Sequence, residues 1–102
     1  MQNAALVVID IQNDITKNYK EIIDNINRAV EWAVDNGVRV AYIKHENLSD
    51  GTRTFKHNTH GAELVSELKV VSDDIFTKYK GSVLSCEEFA AFVEKNGISE
   101  FL

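Results

Sequence analysis

A single acid interrupts an apolar run in ALVVIDIQNDI, Ala5 to Ile15. Asp10 follows five apolar residues, and Ile11 follows it. A carboxylate in such a segment gives up solvation, and a nearby cation offsets that loss. Lys78 is the candidate cation. An acid poised by a lysine can accept a proton from a nucleophile. Asp10 and Lys78 are therefore the candidate catalytic residues. The alternative for the same two residues is structural: Asp10 caps a loop and Lys78 is solvated.

Other reactive side chains carry less. Cys86 is the only cysteine. Its expected place is the start of a helix, where the dipole favours a thiolate, but Glu87 and Glu88 oppose it. A lone cysteine of this kind is expected to be inert packing. His45, His57 and His60, with Glu46 and Asp50 nearby, raise a metal question. Ordinary loop histidines explain them as well, and no metal or cofactor is expected. There is no G-x-x-x-x-G-K-[ST] loop, and no G-x-G-x-x-G follows the first apolar run. A receiver domain would need a second acid where Lys78 stands. A phosphatase with an aspartate nucleophile would need one at Gln12. Trp32 is read as packing or interface.

The elements that must position these residues alternate. Ala5 to Ile11 reads as a strand buried on both faces, with four β-branched residues. Asn18 and Glu21 form a variant capping box. From Tyr19 onward, Ile22, Ile23, Ile26, Val30, Ala33 and Val34 recur at helical spacing, and Asn36-Gly37 closes that helix. Val38 to Lys44 is a second strand. His45 to Lys56 is a loop carrying Asp50-Gly51. Ala62, Leu64, Val65 and Leu68 predict a short second helix. Asp74 to Thr77 predicts a third strand. Ser85 and Glu88 form a capping box for a helix with Phe89, Phe92 and Val93 on its apolar stripe, ended by Asn96-Gly97. Ile98 to Leu102 begins a fourth strand. The order β-α-β-α-β-α-β implies a parallel sheet with helices on its faces. Ligands of such sheets collect at the carboxyl ends of the strands, the rim that Asp10 and Lys78 share.

The 102 residues suffice for one small domain. Net charge is -5, from 16 acids against 11 bases, so no nucleic-acid or anionic-membrane partner is expected. No run is long enough to span a bilayer, and no signal-peptide pattern opens the chain. The single cysteine cannot form an internal disulfide, which fits a cytoplasmic protein.

Taken with VAYIKHE, IFTKYKGSVL and the closing KNGISEFL, the D-x-Q-N-D motif at Asp10 resembles the N-terminal part of an isochorismatase-like hydrolase, in the superfamily of cysteine hydrolases that includes nicotinamidases. K-x-x-x-S, Lys78 to Ser82, is the second shared motif. The resemblance implies a three-layer α/β/α Rossmann-like parallel sheet, here a truncated β-α-β-α-β-α-β portion. It implies a single domain over 1–102, incomplete at its C-terminus. It also implies an Asp-Lys-Cys triad, with Asp10 taking the thiol proton and Lys78 stabilising the charged site, for hydrolysis of an amide or related bond in a small-molecule substrate. The family's cysteine follows the fourth strand, and Cys86 is not at that position. The chain is thus expected to be inactive alone, and a non-catalytic remnant or interaction module is the alternative. Leu84 and Glu87 replace a frequent phenylalanine and threonine. Nicotinamidases resemble one another in holding a metal through an aspartate and histidines after the second strand, but their D-x-H spacing is missing here.

The same resemblance implies a first strand at the centre of the sheet, with the second and third strands on one side and the later ones on the other. A chain ending at the fourth strand is then expected to expose apolar side chains of Ala5 to Ile11 and to form a homo-oligomer, at least a dimer, through that strand or ISEFL.

Overall fold

The computed structural model describes residues 3–16, 18–48, 54–79 and 86–102. Strand β1 is Ala4–Ile9, followed by a single turn α1 (Asn13–Thr16) and helix α2 (Lys20–Asp35). Strand β2 (Arg39–His45) leads through a 3₁₀ turn at His60–Ala62 to strand β3 (Ile75–Lys78). Helix α3 (Glu87–Asn96) and strand β4 (Glu100–Phe101) complete the order. The four strands are parallel and lie in the order β3-β2-β1-β4, so β1 is interior as expected.

Strand alternation divides the apolar residues between two faces. Val8, Val40 and Tyr42 pack with Ile23, Val30 and Ala33 of α2. Ala5, Ala41 and Ile43 pack with Phe89 and Phe92 of α3. The result is the α/β/α sandwich read from the sequence. Each of the larger buried aliphatic side chains contributes about 1.5–3 kcal/mol. α2 ends as its sequence predicts. Gly37 takes a φ of 68° and lets Val38 N–H reach back to Ala33 O at 2.8 Å.

Four expectations need correction. Val65 and Leu68 are buried, but residues 62–68 are not a helix beyond the 3₁₀ turn. Their backbone groups find partners elsewhere. Asn13 N–H bonds Glu63 O, Val65 N–H bonds Ile11 O, and Asn27 bonds both Glu67 O and Lys69 N–H. Tertiary hydrogen bonds here replace the helical ladder. Second, the Asn18 capping box is not formed: Tyr19 is the N-cap of α2 and makes no side-chain cap bond. Cys86 is likewise the uncapped N-cap of α3, and Ser85 lies outside the described residues. Third, Lys78 is the last residue of β3 rather than the first beyond it, and β1 stops at Ile9, before Asp10. Fourth, β1 is mostly covered. Ala5, Val8 and Ile11 are buried and Leu6 and Val7 partly so, while only Ile9 is substantially exposed, at 42%. α3 crosses back over the second face of β1 and supplies that cover.

Candidate active site at the carboxyl rim

The site begins where β1 leaves the sheet. Asp10 has a φ of 62°, a left-handed conformation rare outside glycine and tolerated best by Asp and Asn. Such strain persists where surrounding bonds over-determine it. Asp10 N–H still bonds Ile43 O at 2.9 Å, but its carbonyl turns to Gln12 N–H at 3.0 Å and Thr16 Oγ1 at 3.2 Å. The turn carries the carboxylate toward β3. Asp10 Oδ2 lies 3.7 Å from Lys78 Nζ. Lys78 is 6% exposed and Asp10 38%.

That spacing is an ion pair rather than a hydrogen bond. It reaches across the end of β2, because β2 lies between β1 and β3. A buried ammonium requires a compensating anion, and Asp10 supplies one. Asp10 Oδ1 is buried and has no hydrogen-bond partner among the described residues. The structure thus brings the two candidate residues together at the rim. One carboxylate oxygen faces the cation, the other is buried without a hydrogen bond among the described residues, and the side chain as a whole stays 38% exposed at the rim, where a carboxylate can serve as a base.

The rest of the motif ties the rim together. Gln12 is fully buried, at 0% exposure. Its Nε2 donates to His45 O at 2.8 Å and Ala62 O at 2.6 Å, and its Oε1 accepts from His45 N–H at 2.8 Å. Asn13 Nδ2 donates to His60 O at 2.9 Å. Asp14 Oδ2 accepts the N–H of Phe55 at 2.7 Å. Phe55 is itself left-handed, with a φ of 55°, and its ring meets His45 edge-on. The sequence reading included Gln12 and Asp14 in the D-x-Q-N-D motif but gave neither them nor Phe55 a role. The available signal was the row of polar residues after Asp10 in an otherwise buried segment.

The histidines separate rather than gather. His57 Nδ1 makes a short contact to Glu46 Oε1, His60 Nδ1 lies 3.2 Å from Glu63, and His45 Nε2 lies 2.9 Å from Asn47 Oδ1. Asn47 Nδ2 donates to Thr54 O, so its Oδ1 is the acceptor and His45 carries its proton on Nε2. Burial pushes the Glu46 carboxyl up, but hydrogen bonds from His57 and Lys44 outweigh that and hold it below its ordinary value. Among the described residues no three His, Cys, Asp or Glu side chains form a group able to hold a metal ion. Asp50 and Ser82 lie outside the described residues. Cys86 is 7% exposed, with Sγ 3.5 Å from Thr77 O, and packs in the apolar cluster under α3. Trp32 stands on α2, 45% exposed. No helix is long and apolar enough to cross a membrane among the described residues.

A family model described as the isochorismatase domain matches residues 4–102. The chain is 28% identical over 126 residues to an Arabidopsis thaliana protein named as a probable inactive nicotinamidase, covering 99% of this chain and 64% of that protein. Among solved structures, N-carbamoylsarcosine amidase from Thermoplasma acidophilum aligns with a TM-score of 0.79 at 20% identity, over 97% of this chain and 65% of that one. The pyrazinamidase of Pyrococcus horikoshii, solved in complex with zinc, aligns with a TM-score of 0.78 at 20% identity, over 97% and 68%. The chain spans 64% of the length of the plant relative and between 51% and 68% of solved relatives of this fold. Among the described residues, His45, His57 and His60 have separate partners and share no site that would hold a zinc ion.

Proposed function

We propose that this chain, which belongs to the isochorismatase family, supplies the acid and the lysine of a site for hydrolysis of amides or related small molecules. The carrying observation is the approach of Lys78 Nζ to Asp10 Oδ2, 3.7 Å, at the carboxyl rim of a parallel sheet. In this reading the Asp10 carboxylate takes the proton of a thiol. The thiolate attacks the substrate carbonyl carbon, and the leaving amine recovers the proton from Asp10. Water then cleaves the thioester. Lys78 offsets negative charge as it moves between carboxylate and thiolate.

These 102 residues do not complete that cycle by themselves. Their one cysteine, Cys86, is held in the α3 core, and an acid and a lysine alone form no acyl-enzyme. The experiment is ammonia release from nicotinamide by the 102-residue chain, with ligand contacts at Asp10 and Lys78 followed by NMR. The expected result is no turnover, with shifts confined to the rim. Turnover abolished by Cys86→Ala would overturn the assignment of the nucleophile. Absence of any rim shift would overturn the site. The name of the plant relative favours a second reading, a binding module that keeps the fold without the chemistry.

The partners follow the same reasoning. A net charge of -5 supports the absence of a nucleic-acid partner, and the lone cysteine supports a cytoplasmic setting. Residues 1–102 act as one domain in this proposal. A homo-oligomer formed through the β4 edge of the sheet is part of this proposal. Light scattering tests it, and a monomer at micromolar concentration would refute it.

A further inference from the structure

The ladder between β1 and β2 breaks at one rung. In a parallel ladder, a residue whose N–H bonds the carbonyl of partner position 43 offers its own carbonyl to the N–H of position 45. Asp10 does the first, to Ile43 O at 2.9 Å, and not the second. Its carbonyl is taken by Gln12 N–H and Thr16 Oγ1. The N–H of His45 would be orphaned next to a buried core, at a cost of about 1–3 kcal/mol. It bonds instead to Gln12 Oε1 at 2.8 Å, while Gln12 Nε2 returns a bond to His45 O at 2.8 Å. The side-chain amide thus satisfies both main-chain groups of His45.

We propose that Gln12 is a positioning residue for the rim pair. Its carboxamide takes the place of the peptide rung that Asp10 gives up. That substitution lets Asp10 turn left-handed and carry its carboxylate to Lys78. The far side of the same amide, through Ala62 O, anchors the 3₁₀ turn to the rim. Gln12 touches no reacting atom in this role. The inference rests on the Asp10–Lys78 reading, and it explains how a strand end that would otherwise continue the sheet presents a carboxylate across its neighbour.

The test is NMR on the whole chain. In the unmodified protein, scalar coupling across the hydrogen bond is expected between His45 N and the side-chain carbonyl carbon of Gln12. Coupling to the Asp10 carbonyl instead would overturn the proposal, whether or not any variant folds. Gln12→Met keeps the volume and removes the acceptor. In it, His45 N–H is expected to recapture the Asp10 carbonyl. The amide-to-Hα coupling of Asp10 then rises to an extended-strand value, and the Lys78 Cε signal moves to its position in Asp10→Asn. Asn27→Ala, which removes another side-chain tie to the crossover segment, is expected to leave both signals unmoved. If Asp10→Asn does not move Lys78, the rim pair itself fails. If Asp10→Asn moves it and folded Gln12→Met does not, the pair stands and the positioning role is overturned.

Discussion

Alanine at position 61 would place a methyl group inside a carboxylate. A Cβ built on Gly61 falls well within van der Waals contact of the Asp14 carboxylate. Asp14 cannot simply swing aside, because its Oδ2 holds the N–H of Phe55 at 2.7 Å. That bond supports a bulky residue at a φ of 55°, a conformation costing about 1–2 kcal/mol. A hydrogen bond to a charged acceptor is worth about 1.5–3 kcal/mol, and the exposure of Asp14 places this one near the lower end. Asp14→Ala should therefore cost about 1.5 kcal/mol. Gly61→Ala should cost about 2–3 kcal/mol, because it breaks the same bond and adds steric strain. Removing the carboxylate takes away the three atoms nearest the methyl. In the Asp14→Ala background, Gly61→Ala should be neutral, or stabilising by roughly 0.4–1 kcal/mol through the unfolded chain. The two single losses sum to about 4 kcal/mol against about 1.5 kcal/mol for the double variant, a coupling of about 2–3 kcal/mol. Urea denaturation of the four proteins measures it. Additivity within about 0.5 kcal/mol would show that Gly61 and Asp14 do not meet.

Three further outcomes are expected. Tyr42→Phe should cost about 1–3 kcal/mol in urea denaturation, because the buried hydroxyl donates to Lys69 O at 2.6 Å and accepts Val71 N–H at 3.0 Å. Glu46 is held below its ordinary value of 4.5, so the stability it contributes is complete above that value and is lost as pH falls through the lowered one. Glu46→Gln should flatten the acid limb of the stability profile below about pH 4.5, and an unchanged limb would contradict the His57 and Lys44 bonds. The Cys86 thiol should react with an aromatic disulfide reagent at least about tenfold more slowly in the native protein than in urea, since its exposure is 7%.

The strands and α2 were legible because their apolar residues repeat with the period of the element that buries them. Ile23, Val30 and Ala33 mark one helix face, and Ala5, Ala41 and Ile43 one sheet face. Asp10 and Lys78 were legible as a pair because an alternating β/α order sends both strand ends to one rim. Residues 62–68 misled for a physical reason. Burial of Val65 and Leu68 gives helical spacing, yet Ile11, Asn13 and Asn27 hold the backbone from outside. Such long-range partners leave no periodic trace. Gln12 was hidden in the same way, since a buried amide cannot be told from a solvated one until its partners, 33 and 50 residues away, are in place.

The sheet order also bears on the order of assembly. Ala5 pairs with Arg39 in β2, 34 residues on, and with Phe101 in β4, 96 residues on. Closing the longer loop costs roughly 1 kcal/mol more in chain entropy. β1, α2 and β2, joined by the shorter connection, are therefore expected to come together first. The Asp10 turn is set within that early unit. Lys78 arrives with β3 on the side of β2 away from β1, so the rim pair closes over a β1–β2 edge already formed, and its geometry is insulated from whatever happens at β4.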